Sequence, residues 1–152
     1  MDRPLVVTDP SDRAPELIQE AGGLAEAAGV PLIVLTVVSQ EEFENDSEVL
    51  RSISNVEGRE YQPGPAEYAE AVAGSAVSDL LSDFDIETET IGRKVNSDDE
   101  RSNVIREVAR ENACDYIFLV GRRRRPTGKV IFGDTAQDVI LNFDDYVVTL
   151  TE

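Results

Sequence analysis

The chain has 152 residues, 41% of them apolar, and carries 31 acidic against 14 basic side chains for a net charge of −17. That length suits one domain with one core, and the apolar share excludes a disordered tail. Histidine is absent and Cys114 is the lone cysteine, which excludes an internal disulfide, Ser-His-Asp or Cys-His catalysis, and a zinc site of the usual Cys/His kind.

Lys94 and Lys129 are the two lysines, and the acids are scattered rather than gathered in one block. Such a surface repels nucleic-acid phosphates and anionic membranes. It suits concentrated salt, where screening removes most of the self-repulsion; the other reading is a surface that meets a basic partner. The opening MDRPLVVTDP has no basic region ahead of an apolar one, and runs such as Val30 to Val38 are too short to cross a bilayer. The expectation is a cytoplasmic protein.

Leu5 to Thr8 reads as a short buried strand. Leu17, Ile18, Ala21, Leu24, Ala25 and Ala28 then recur on one helical face, with Pro15 in the first turn and Gly29 as the stop. Pro31 to Val38 (PLIVLTVV) lacks polar alternation, as a central parallel strand covered on both faces would. The stretch from Ser39 to Pro65 is acidic and ends in turn residues, and reads as a long, partly helical connection. Tyr68, Val72, Ala76 and Leu80, with Ala69, Ala73 and Val77 beside them, predict the next amphipathic helix.

Ile86 to Ile91 (IETETI) alternates strictly and predicts a strand near an edge. Ser97 and Glu100 have capping-box spacing ahead of a helix that buries Val104, Ile105, Val108 and Ala109. The acids Asp98, Asp99 and Glu100 are accounted for by the helix dipole. Cys114 reads as a small buried hydrophobe ahead of a fourth strand, Tyr116 to Val120. A loop rich in glycine and arginine follows, then a helix carrying Ala136, Val139 and Ile140, a turn at Asp144 and Asp145, and a last strand, Tyr146 to Leu150, expected at the sheet edge. No repeat, low-complexity tract or domain boundary interrupts 1–152, so one domain is expected.

The order β-α-β-α-β-α-β-α-β with right-handed crossovers predicts a five-stranded parallel sheet, strand order 3-2-1-4-5, with helices on both faces. Ligands of such sheets bind at the carboxyl ends of strands where the order reverses, which brings Asp9 and Gly121 together. Between them runs Gly121-Arg122-Arg123-Arg124-Arg125-Pro126-Thr127-Gly128-Lys129, leading to Gly133-Asp134-Thr135. Glycines, helix-start N–H groups and arginine forks between a strand and a helix fit an anion-binding loop. The other reading is a solvated loop whose arginines pair with surface acids. Asp9, just before Pro10 and Ser11, also reads as an ordinary turn residue.

On these residues the chain resembles the universal stress proteins. The resemblance covers nearly the whole chain: Val6-Val7-Thr8-Asp9 at the end of strand one, the alanine-rich first helix, and the last forty residues. It implies a Rossmann-like fold of the adenine nucleotide alpha-hydrolase type and binding of ATP or AMP. It also implies a homodimer joined through the last strand, Tyr146 to Leu150. The family signature after strand four, Gly-x2-Gly-x9-Gly-Ser/Thr, aligns its first glycine with Gly121 and its last with Gly133. The family aspartate and the backbone contact for ribose and base fall on Asp9 and Val38.

Two departures stand out: Arg124 replaces the second glycine, with eight residues between it and Gly133, and Asp134 replaces the Ser/Thr. A carboxylate there is expected to cap the helix and repel phosphate, so binding is expected to be weak. The candidate contacts are Thr8, Asp9, Val38, Gly121, Arg123, Arg124, Gly128, Gly133, Asp134 and Thr135; no catalytic or metal-ligating residue is assigned. The function implied is a stress-response regulator with at most very slow hydrolysis. A related ATP pyrophosphatase is the alternative, but Asp9-Pro10-Ser11-Asp12 lacks the Ser-Gly-Gly-rich loop it needs. A phosphoacceptor receiver lacks its acceptor in Gly92-Arg93-Lys94.

Overall fold

A computed structural model describes residues 1–46, 63–124 and 131–152, with backbone alone for 123–124 and 131–132. In chain order it contains β1 (Pro4–Thr8), α1 (Ala14–Ala28), β2 (Leu32–Ser39), a helical segment α2 (40–46) and α3 (Pro65–Leu80). Then follow β3 (Thr88–Val95), α4 (Arg101–Glu111), β4 (Tyr116–Gly121), β5 (Arg123–Arg124), β6 (Ile131–Phe132), α5 (Asp134–Asn142) and β7 (Tyr146–Thr151). The main sheet is five-stranded and parallel, in the order β3-β2-β1-β4-β7; β5 and β6 form a separate antiparallel ribbon. The predicted 3-2-1-4-5 order therefore stands, with the last strand at one edge and the IETETI strand at the other.

Strand alternation divides the core in two. Leu5, Val7, Ile33, Leu35, Ile117 and Leu119 point to one face, against Ile105, Val108 and Ala109 of α4 and Ala136 and Val139 of α5. Val6, Leu32, Val34, Phe118 and Val120 point to the other, against Leu17, Ile18, Ala21 and Ala25 of α1 and Ala73 of α3. All eight residues of β2 are buried, because helices cover both of its faces. Pro15 opens α1 and Gly29 closes it at φ 67°, a left-handed position natural to glycine.

Several local expectations change: on the face of α1 expected to be apolar, Leu24 is 40% exposed and Ala28 is exposed. The capping box of Ser97 and Glu100 does not form: Asp98–Glu100 make a 3-10 turn, and Ser97 has no side-chain cap bond. That extra turn moves the helix start to Arg101, so Glu100 becomes the residue before α4 and accepts the Asn96 N–H at 3.3 Å. The third strand runs Thr88–Val95 rather than from Ile86, which packs on the core before the ladder starts. Ile140 is 39% exposed, because Ala136 and Val139 hold the inward stripe of α5. The 47–62 part of the long connection lies outside the described residues.

Candidate functional site

β1 feeds α1 on one face of the sheet and β4 leads to α5 on the other, so the chain parts at the carboxyl ends of these adjacent strands. A cavity of about 560 Å³ opens there. Val7, Leu119 and Ile105 give it an apolar floor, and Thr8, Asp9 and Pro10 form the β1 wall. Glu42 of α2, Asp98, Asp99, and Arg101 to Asn103 form a second wall, and Gly133 to Asp138 with Leu141 a third.

Each wall is built by contacts distant in sequence. The Thr8 and Thr36 hydroxyls bond at 2.6 Å across β1 and β2. Arg122 donates to the Asp9 carboxylate at 2.6 Å, an ion pair with the arginine side chain 53% exposed. Arg101 is more deeply set, 17% exposed, and donates to the Val37 carbonyl, to Glu42 and to Asp98. Between α4 and α5, Asp138 accepts from Arg106 at 3.2 Å and from Asn142 at 2.8 Å. A hydrogen bond from the buried Ser102 hydroxyl, with the Arg106 charge nearby, holds the Asp138 carboxyl below its usual range against the opposing effect of burial.

Gly133 is the N-cap of α5, has no side chain to bond, and donates its N–H to the Arg122 carbonyl at 2.7 Å. Asp134 is thus the first helical residue and not the cap that the sequence suggested. The start of α5 faces the cavity, with Asp134 and Thr135 in its lining. Six carboxylates line the space (Asp9, Glu42, Asp98, Asp99, Asp134 and Asp138) against two guanidinium groups, Arg101 and Arg122, among the described residues. Among the described lining residues the balance of charge is therefore negative.

The candidate contacts fare unequally. Thr8, Asp9, Gly133, Asp134 and Thr135 line the cavity together. Val38 is buried in β2 and Gly121 in the end of β4, and neither is in the lining. Arg123 and Arg124 carry the expected positive run into the ribbon, paired with Phe132 and Ile131, and Gly128 lies outside the described residues. Arg122 pairs with a surface acid, as the solvated-loop reading had it, but the acid is Asp9.

Glu42, Arg101, Ser102 and Asp138 were not anticipated. Asp98 and Asp99 were assigned to a helix dipole, yet both line the cavity, and Asp98 binds Arg101 at 3.1 Å. Among the described residues no group of three or more Asp, Glu, Cys or His could hold a metal, and no helix is long and apolar enough to cross a membrane.

Residues 1–148 match the model of the universal stress protein family. Solved structures of similar fold include a universal stress protein from Archaeoglobus fulgidus, at 24% identity, 98% of each chain and a TM-score of 0.62. A universal stress protein from the same organism in complex with dAMP matches at 20% identity over 98% of this chain and 97% of that one, TM-score 0.58. A universal stress protein in complex with cAMP matches at 16% identity over 99% and 96%, TM-score 0.59. No curated protein sequence matches the chain.

Proposed function

Because the chain belongs to the universal stress protein family, we propose that its cavity takes an adenine nucleotide and that the protein acts as a stress-response regulator rather than a fast enzyme. The observation that carries this reading is the convergence of Asp9 and the start of α5 on one cavity at the β1/β4 switch point. Similar folds are described in complex with dAMP and with cAMP. In this reading Thr8 and Asp9 receive the ribose, and the end of β2 near Val38 receives the base. The N–H groups of Gly133, Asp134 and Thr135 receive phosphate, helped by Arg123 and Arg124 as the chain leaves Gly121. Gly128 belongs to the same proposed loop.

The carboxylate-rich lining weakens that phosphate end. ATP and AMP are expected to bind no tighter than about 0.1 mM, or about 5.5 kcal/mol. Calorimetric titration of both nucleotides in concentrated KCl tests this; a flat titration at millimolar nucleotide rejects the reading. Hydrolysis is expected to be very slow at most. The salt-adapted surface and a cytoplasmic setting belong to the same proposal.

β7 offers its outer edge, with Tyr146 60% exposed and Val147, Val148 and Leu150 partly buried. Pairing with β7 of a second copy would cover that edge. Light scattering in molar salt should give a dimer mass at micromolar concentration, and a monomer rejects this part.

A further inference from the structure

The strand register leaves one short edge of the sheet uncovered beside the cavity. β1 pairs with β2 as far as Thr8 and Thr36, whereas β2 continues to Ser39 paired with β3 alone. Past Thr36, the side of β2 nearest β1 has no strand to take its carbonyls, and an unmet buried carbonyl is costly. The Val37 carbonyl is met by a side chain instead: Arg101, at the first position of α4, donates one guanidinium nitrogen to it. The other terminal nitrogen is held by Glu42 and Asp98. Arg101 lines the cavity and neither Val37 nor Val38 does, so the guanidinium stands between the cavity and the end of β2.

An adenine reaches a backbone carbonyl through its exocyclic amine, an N–H donor of the same kind as a guanidinium N–H. From this competition we infer that Arg101 is an internal competitor for the base end of the cavity, occupying the Val37 carbonyl beside the Val38 position proposed for the base and thereby setting the affinity and selectivity of the site. The inference rests on the nucleotide reading above. Two arginines oppose entry, but unequally. The Arg122–Asp9 pair is a single contact on a half-exposed guanidinium, is screened by salt and yields readily. Arg101 is largely buried and has three acceptors on three segments, two of them charged, so its release is the dominant barrier.

The test uses adenosine, which has the base and ribose without phosphate, so removal of a positive charge from the cavity does not obscure the result. Arg101→Met keeps most of the apolar stem and frees the Val37 carbonyl. It should bind adenosine about tenfold tighter than the wild-type chain in matched concentrated KCl. Glu42→Gln leaves Arg101 in place with a weaker anchor and should tighten adenosine binding about threefold. This second variant carries the test if circular dichroism finds Arg101→Met unfolded.

Adenosine affinity that is unchanged or weaker in the folded variants, while the wild-type chain still binds AMP, overturns the competitor role and leaves the nucleotide reading standing. Absence of both adenosine and AMP binding from wild-type and variant chains overturns the nucleotide reading and the competitor with it.

Discussion

At the scale of single residues, Asp134 and Asp115 show how position sets what a carboxylate does. Asp134 occupies the first turn of α5, where its charge favours the helix and opposes a phosphate seeking the same N–H groups. Asp134→Ser should tighten ATP binding about tenfold, or about 1.4 kcal/mol, and help AMP less. Calorimetry of both proteins at matched salt checks this, and equal affinities would free Asp134 of that role.

Asp115 does structural work: its two carboxylate oxygens accept the backbone N–H groups of Asp2 and Arg3, each at 2.8 Å, and tie the chain start to the entry of β4. Burial raises its pKa, but those N–H donors and the terminal amine outweigh it, and the folded value lies below the ordinary carboxylate. The resulting stability is present in full above the unfolded pKa of about 3.9 and is lost as pH falls through the lower folded value. Asp115→Asn should cost about 1.5 kcal/mol near neutral pH, and the two unfolding curves should converge in acid. Cys114 next to it is buried, and desolvation pushes its thiol up to about 11, consistent with the inert hydrophobe expected from sequence.

Among the elements, α3 and β3 approach closely, and Gly92 permits it. A methyl group at Gly92 would lie 2.2 Å from the Glu70 nitrogen and 2.3 Å from the Ala66 carbonyl oxygen, both backbone atoms of α3 that cannot step aside. Gly92→Ala should therefore destabilise the fold by about 3 kcal/mol, read as a lower denaturation midpoint with an unchanged slope. In the sequence Gly92 falls just past the expected strand Ile86 to Ile91; that β3 runs on through Gly92 to Val95 and meets α3 there is decided by the tertiary structure. The opposite case is α1, whose proline start, glycine stop and the inward residues Leu17, Ile18, Ala21 and Ala25 were legible, because each depends on residues within a few positions; Leu24 and Ala28 of the expected face are exposed instead.

For the whole molecule, 31 acidic side chains against 14 basic ones make charge repulsion the main long-range opponent of folding. Raising salt to about 1 M shortens the screening length to about 3 Å, below the spacing of most surface charges, while the buried core is unaffected. The melting temperature should rise between dilute buffer and about 2 M KCl. A constant melting temperature across that range would mean that the acids serve a partner rather than salt tolerance.

What the sequence alone determined is the sheet. Runs of β-branched residues, alternation with helical stripes and the right-handed crossover rule lead to a doubly wound parallel sheet, and the resemblance carried by the end of strand one and the last forty residues implies the order that puts Asp9 beside the end of β4. These are repetitive or local patterns, readable over a few residues. What the tertiary structure decided is the content of the cavity. Arg101 meets Val37 across 64 positions and Glu42 across 59, and Arg122 meets Asp9 across 113. No periodicity or cap encodes where a long guanidinium ends, because that depends on which carbonyl the strand register leaves without a partner. The register of β1 against β2, ending at Thr8 while β2 runs on to Ser39, left that carbonyl beside Arg101 and so placed an arginine between the cavity and the end of β2.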